Sequence, residues 1–194
     1  MRRHKFLITG LPRSRTAWLS EFMCDCIHEP VPDLDEIEQL TSVFEKYQGV
    51  SDSAAGFWIE WILEHIKPRT VVVERPLEEV EKSLETLLPG LPKTNYCDLL
   101  LENFKKVKNH PLVMRVPFDS LSDTRVMQKV FWHLRPGDVF DEGRFLQMCD
   151  EKIVCDLNRT ATGSIMKQIA PFLVQKEKSW PSVGLKPEPL YTAY

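Results

Sequence analysis

Phe6-Leu7-Ile8-Thr9-Gly10-Leu11-Pro12-Arg13-Ser14-Arg15-Thr16-Ala17-Trp18-Leu19 is the stretch on which the fold turns. An apolar run over 5–9 halts at Gly10, and Trp18, Leu19, Phe22, Met23 and Cys26 then recur at helical intervals. The segment therefore reads as strand, tight loop and helix over 16–26. Where strand becomes helix, the chain collects a glycine, Pro12, Arg13, Ser14, Arg15 and Thr16. Such a turn is an anion cradle. Free N–H groups at a helix N-terminus point outward, the macrodipole favours negative charge, and arginine adds a forked donor that matches phosphate oxygens. Ser14 and Thr16 can cap the helix or touch the anion. The competing reading is a solvated turn with Ser14 as a cap, but two arginines so placed repel each other unless an anion lies between them.

Working outward, 28–35 holds two prolines and several acids and reads as an exposed loop, followed by a weaker helix over 34–47. Ser51-Asp52-Ser53 can cap a helix carrying Phe57, Trp58, Trp61, Ile62 and Ile66 that ends before Pro68. The group Phe57, Trp58 and Trp61 suits a core better than a base-stacking platform. Thr70-Val71-Val72-Val73-Glu74 is β-branched and apolar on both faces, as a central strand of a helix-covered parallel sheet should be. Pro76 opens a helix over 77–88 with glutamates at its start, where the helix dipole favours them, and a helix over 98–108 is basic at its end. A strand over 112–118 and a helix over 123–134 follow, and Arg144 reads as a surface salt-bridge residue. The order predicts an α/β protein, a three-layer α/β/α sandwich with a central parallel sheet of the P-loop nucleoside triphosphate hydrolase-like kind. One such domain spans 1–155, and 156–194 is expected to hold a peripheral helix over 165–174 and an extended tail.

The chain has 194 residues, 43% of them hydrophobic and 27% charged, enough to bury a core in one domain without staples. A net charge of −3 supplies no broad cationic field, so nucleic acid is not an expected partner and any anion site is local. The opening Met1-Arg2-Arg3-His4-Lys5 is basic, but the apolar run after it is too short for a secretory signal and is broken by Gly10, Pro12, Arg13 and Arg15. No stretch approaches the roughly 20 apolar residues that cross a bilayer. A cytoplasmic protein with no membrane partner is expected. Among five cysteines only Cys24 and Cys26 are close, as C-x-C within a helical pattern, which is no zinc spacing. Reduced, mostly buried thiols are expected.

The loop lacks the Walker A pattern, since Arg15 and Thr16 stand where its second glycine and lysine would fall. Pro12-Arg13-Ser14-Arg15-Thr16-Ala17-Trp18-Leu19 resembles the 5′-phosphosulfate loop of the sulfotransferase family, P-[KR]-S-G-T-T-W-L, with Arg15 replacing the glycine and Ala17 a threonine. The family's basic residue falls on Arg13, its first threonine on Thr16 and its tryptophan on Trp18. A second element of that family is an arginine ending a central strand with a serine about two helical turns later. Val73-Glu74-Arg75-Pro76 and Ser83, eight residues after Arg75, match it. The proline comes one place earlier than in the family's R-[ND]-P, and Arg75 pairing with Glu78 or Glu79 is the bland alternative. The resemblance covers about 5–150, including the Val116-Pro117-Phe118-Asp119-Ser120-Leu121 segment, and points toward short sulfotransferase-like proteins of phage and bacteria.

The resemblance implies sulfuryl transfer from 3′-phosphoadenosine 5′-phosphosulfate to a hydroxyl or amine, with no metal. It assigns Arg13 to the 5′-phosphate and leaving oxygen, the loop from Ser14 to Trp18 to the phosphate, and Arg75 with Ser83 to the 3′-phosphate. The family's general base, a histidine or glutamate beyond the first helix, falls on His28 or Glu29, with Glu29 preferred. The acceptor, small molecule or carbohydrate, is left open, as is oligomeric state. Two other classes compete: an atypical nucleotide or small-molecule kinase, which needs Mg²⁺ and a carboxylate set not found, and a non-catalytic nucleotide-binding module.

Overall fold

A computed structural model describes residues 4–87 and 95–150. Its centre is a five-stranded, wholly parallel sheet in the order β2-β3-β1-β4-β5. The strands are β1 (Phe6–Gly10), β2 (Cys26–His28), β3 (Gly49–Ser51), β4 (Arg69–Glu74) and β5 (Val113–Pro117). The helices are α1 (Thr16–Met23), α2 (Leu40–Lys46), α3 (Ile59–His65), α4 (Leu77–Leu87), α5 (Tyr96–Lys106), α6 (Thr124–Leu134) and α7 (Glu142–Asp150). Helices cover both faces, which gives the expected three-layer α/β/α sandwich.

Alternation along the strands sorts the core into its layers. Phe6 and Ile8 of β1, Val71 and Val73 of β4 and Val116 of β5 face α1, α6 and α7, meeting Leu19, Phe22, Met127, Val130 and Phe145. Val72 faces the other way, against Ile59, Leu63, Val80, Leu100 and Phe104 of α3, α4 and α5. Leu7 and Val50 share that second face with Leu40 and Phe44 of α2. The central strands are buried on both sides, as the run from Thr70 to Val73 foretold. Backbones approach closely where glycine allows it: a Cβ on Gly10 would stand 2.7 Å from the Val73 carbonyl oxygen of β4.

The register sets the site. In parallel order β2-β3-β1-β4-β5, the chain leaves β1 toward β2 on one side and leaves β4 toward β5 on the other. The carboxyl ends of the adjacent strands β1 and β4, paired from Phe6↔Arg69 to Gly10↔Val73, therefore bound a topological switch point, where open α/β sheets leave a crevice for ligands.

Several local expectations are corrected. The helix expected over 16–26 stops at Met23, because Cys24 and Asp25 take left-handed φ of 52° and 45° and turn the chain back into β2. His28, expected in a loop, is the last residue of that strand, and Ser51, expected among the residues of a helix cap, instead ends the strand Gly49–Ser51. Both strands are three residues long and exist through pairing with each other and with β1. The helix expected over 34–47 is helical at Leu40–Lys46, preceded by single 3₁₀ turns at Val31–Asp33 and Ile37–Gln39. The expected helix over 165–174 and the tail lie outside the described residues. Cys24 and Cys149 are exposed thiols, where burial was expected, while Cys26 and Cys97 are half-buried. Among the described residues no helix is long and apolar enough to cross a membrane.

Candidate functional site

Five loops leave the carboxyl ends of the five strands on one side of the sheet, and the first of them is built under strain. Arg13 and Arg15 take φ of 66° and 60°, left-handed values that cost a side-chain-bearing residue about 1–2 kcal/mol each. Arg15 thus occupies the conformation a glycine would supply at little cost. The result is a tight turn in which Leu19 N–H donates to the Arg15 carbonyl at 3.0 Å, leaving the earlier N–H groups of α1 without intrahelical acceptors. Ser14 is fully buried beneath the turn, and neither its Oγ nor the Oγ1 of buried Thr9 has a hydrogen-bond partner among the described residues. Pro12 is buried, Ala17 half-buried, and the guanidinium-bearing Arg13 and Arg15 are exposed. A buried hydroxyl without a partner, beside N–H groups that lack intrahelical acceptors, fits an anion such as a nucleotide phosphate.

The second turn meets the first. Arg13 Nε donates to Ser83 Oγ of α4 at 3.2 Å, and Arg75, at the end of β4, donates through Nη1 to the Arg13 carbonyl oxygen. Arg75 also pairs with Glu79 at 3.3 Å, so its expected surface pairing coexists with its bond to the loop. Glu74 turns away to pair with Arg115. Among the described residues no carboxylate pairs with Arg13 or Arg15. Arg13, Ser83 and Arg75, far apart in sequence, stand together at the switch point.

Trp18 has a different place. Its indole lies in the core, stacked on Phe22 at 5.9 Å and edge-on to Phe145 at 6.0 Å, and its Nε1 donates to the Met148 carbonyl at 3.0 Å. Its backbone lies in the first turn of α1. The side chain instead anchors α1 against α7, which holds the cradle at a fixed height above the sheet.

On the other side of β1, β2 and β3 bring His28 and Glu29 against the start of α1. Thr16 Oγ1 lies 3.3 Å from His28 Nε2, and His28 Nε2 lies 3.7 Å from Glu29 Oε1. Burial pushes the His28 imidazole below its usual pKa, against the opposing pull of the Glu29 carboxylate. The imidazole is neutral at physiological pH and able to accept a proton. Glu29 has a left-handed φ of 50°, and its N–H donates to the Ser51 carbonyl at 2.8 Å.

Ser51 Oγ donates to the Thr16 carbonyl at 2.8 Å, tying β3 to the cradle helix. Asp52 is fully buried, and its carboxylate accepts from Val31 N at 2.8 Å, Ala54 N at 2.7 Å and Ala55 N at 3.2 Å. It caps the 3₁₀ turn Ala54–Trp58, the capping use read from Ser51-Asp52-Ser53, and it also fastens the chain just after Glu29. Burial raises the Asp52 pKa to about 7, with the Glu29 charge adding to the rise and three N–H donors opposing it. Tyr96, buried against Phe57 at 5.0 Å, is raised well above the usual tyrosine range by burial first and by Asp52, Cys97 and Glu29 after it. Phe57 is a core residue and Trp58 and Trp61 are half-buried against the same layers, as expected of that group.

Sequence reasoning missed the contribution of β5. Phe118 and Ser122 follow that strand: Arg15 Nη1 donates to Ser122 Oγ at 3.1 Å, and the Phe118 ring carries the Arg15 guanidinium at 5.0 Å and that of Arg75 at 4.2 Å. The segment containing Phe118 was visible in the sequence, but nothing local marks it as a partner of arginines about a hundred and about forty residues earlier. Arg144, read as a surface salt-bridge residue, lies 3.8 Å from Glu21 and also donates to the Glu21 carbonyl and to Cys24 Sγ. An open groove of about 470 Å³, with Phe22, Cys24, Phe131, Arg135 and Arg144 in its walls, lies at the opposite end of α1 and includes no residue of the β1–α1 or β4–α4 turn. Among the described residues no three His, Cys, Asp or Glu side chains gather to hold a metal ion. Comparison with protein-family models, curated proteins and solved structures found no match to this chain.

Proposed function

We propose that the chain is a sulfotransferase-like enzyme that moves a sulfuryl group from 3′-phosphoadenosine 5′-phosphosulfate to a hydroxyl or amine acceptor. One observation carries this reading: two anion-competent turns meet at the switch point, where Arg13 donates to Ser83 and Arg75 donates to the Arg13 carbonyl oxygen. A ligand phosphorylated at both ends of one ribose matches two adjacent cationic turns better than a linear triphosphate does, and the absence of a Walker lysine points the same way.

In this reading, N–H groups from Ser14 to Trp18 hold the 5′-phosphate, and Arg13 neutralises charge that develops on the oxygen bridging phosphorus and sulfur. Arg75 and Ser83 hold the 3′-phosphate. Glu29, or neutral His28 beside it, takes the acceptor proton as the acceptor oxygen or nitrogen bonds to sulfur and the bridging bond breaks. Thr16, in contact with His28, joins the base side to the cradle side. The chain supplies the in-line arrangement by setting these two sides on either flank of β1.

Calorimetry tests the reading. Adenosine 3′,5′-bisphosphate is expected to bind without metal, and more tightly than Mg-ATP. Preference for Mg-ATP would replace this reading with a kinase, and bisphosphate binding without transfer to any of a panel of carbohydrate, phenol, alcohol and amine acceptors would leave a binding module.

A further inference from the structure

Among the described residues, Phe118 is the one aromatic ring that carries guanidinium groups from both turns: Arg15 of the β1–α1 loop and Arg75 of the β4–α4 turn. It follows β5 directly and is half-buried, packed at the edge of the core beside Val116 and Leu121. Its position is therefore set by the sheet and not by the arginines. Each arginine has a second anchor, Ser122 Oγ for Arg15 and the Arg13 carbonyl for Arg75. The cations are held although Glu79 is the acid that pairs with Arg75 and none among the described residues pairs with Arg15.

A π face attracts a guanidinium without neutralising it, so a charged donor can be held in place while it remains available to an anion. A carboxylate in the same position would compete with the ligand. Long arginine side chains otherwise lose rotamer freedom when they clamp a phosphate, a cost that falls on binding. Holding both groups on one rigid ring moves that cost to folding.

We infer that Phe118 is a positioning residue that pre-orders Arg15 and Arg75 on one ring and so couples the two anion subsites of a doubly phosphorylated ligand. This rests on the nucleotide reading above. The sequence places the three residues on three different loops, and only the β1-β4-β5 neighbourhood unites them.

The test compares wild type with Phe118→Leu, which keeps apolar bulk but has no π face, and with Phe118→Trp, which keeps one. Calorimetric titrations use adenosine 3′,5′-bisphosphate, adenosine 5′-monophosphate, adenosine 3′-monophosphate and uncharged adenosine, with thermal melts to confirm folding. For Phe118→Leu the bisphosphate Kd is expected to rise about tenfold and each monophosphate Kd about threefold, with adenosine changed less than twofold and Phe118→Trp near wild type. Bisphosphate affinity unchanged in a folded Phe118→Leu overturns the inference, as does an equal loss for adenosine, which would mean that the ring serves the base. A wild type that binds no bisphosphate sinks the nucleotide reading and this inference together, whereas tight wild-type binding indifferent to Phe118 sinks this inference alone.

Discussion

Arg13 Nε and Ser83 Oγ meet at 3.2 Å across seventy residues of sequence, joining the loop after β1 to the second turn of α4. The contact gives the β1–α1 and β4–α4 turns a common edge. Ser83 holds the Arg13 side chain over α4, and the Arg13 carbonyl receives Arg75.

Removing either cation should therefore weaken the bisphosphate strongly. Charge-assisted hydrogen bonds to phosphate contribute about 1.5–3 kcal/mol, so Arg13→Ala and Arg75→Ala are each expected to raise its Kd roughly ten- to a hundredfold. Ser83→Ala, which removes a neutral partner, should cost about threefold to tenfold. Calorimetry at fixed ionic strength checks the order.

Turnover should separate from binding on the other flank of β1. Glu29→Gln is expected to lower kcat about a hundredfold or more, within the usual range for a general base, while the bisphosphate Kd stays within about twofold. Equal turnover in Glu29→Gln would transfer the role to His28, and His28→Gln then provides the same comparison.

The left-handed turn offers a clean backbone experiment. Arg15→Ala and Arg15→Gly delete the same contacts with Ser122 and Phe118, but alanine keeps the cost of a φ of 60° and glycine does not. Arg15→Gly should be the more stable of the two by about 1 kcal/mol, or about 2–4 °C in Tm. Equal melting temperatures would show that the turn relaxes out of its left-handed form.

Asp52 predicts a pH dependence of definite sign. Its pKa rises from 3.8 to about 7 on folding, so the folded state binds its proton more tightly than the unfolded chain does. The ionised carboxylate then lowers stability progressively as pH climbs from about 4 to 7, and the full cost is present above 7. Asp52→Asn removes this titration. The stability of wild type relative to Asp52→Asn should rise as pH falls from 7.5 to 4.5, by an amount on the order of a few kcal/mol. Denaturant unfolding at the two pH values measures it, and a difference of the opposite sign would mean that the three N–H donors outweigh burial.

His28 titrates in the reverse direction. Burial lowers its folded pKa, so the folded state disfavours the proton and stability falls as pH drops below the unfolded value of 6.5. His28→Gln should flatten that limb. Because its ring is partly exposed, the effect is smaller than that of Asp52.

Local signals in the sequence were sufficient for much of this protein. Apolar run, glycine and helical repeat from Phe6 to Leu19 specify a strand, a turn and a helix through interactions spanning a few residues. The β-branched Thr70–Val73 run marks a strand buried on both faces, and Asp123 caps α6 by accepting from Arg125 and Val126 N–H groups, close to the start expected there. The arginines and hydroxyls of the first loop are chemistry-bearing wherever they sit.

What only the tertiary structure decided has a common physical cause. β2 and β3 are three residues each, too short for any period to show, and their extended form comes from parallel hydrogen bonds to strands distant in the chain. Asp52 is a buried acid because helices close over the end of β3, and the same local sequence exposed to water would be an ordinary cap. Phe118 faces Arg15 and Arg75 because β5 pairs with β4 and β4 with β1. Periodicity and capping act within a turn or two of chain, whereas the meeting of these side chains is set by sheet order, which a single sequence encodes only through the folded whole.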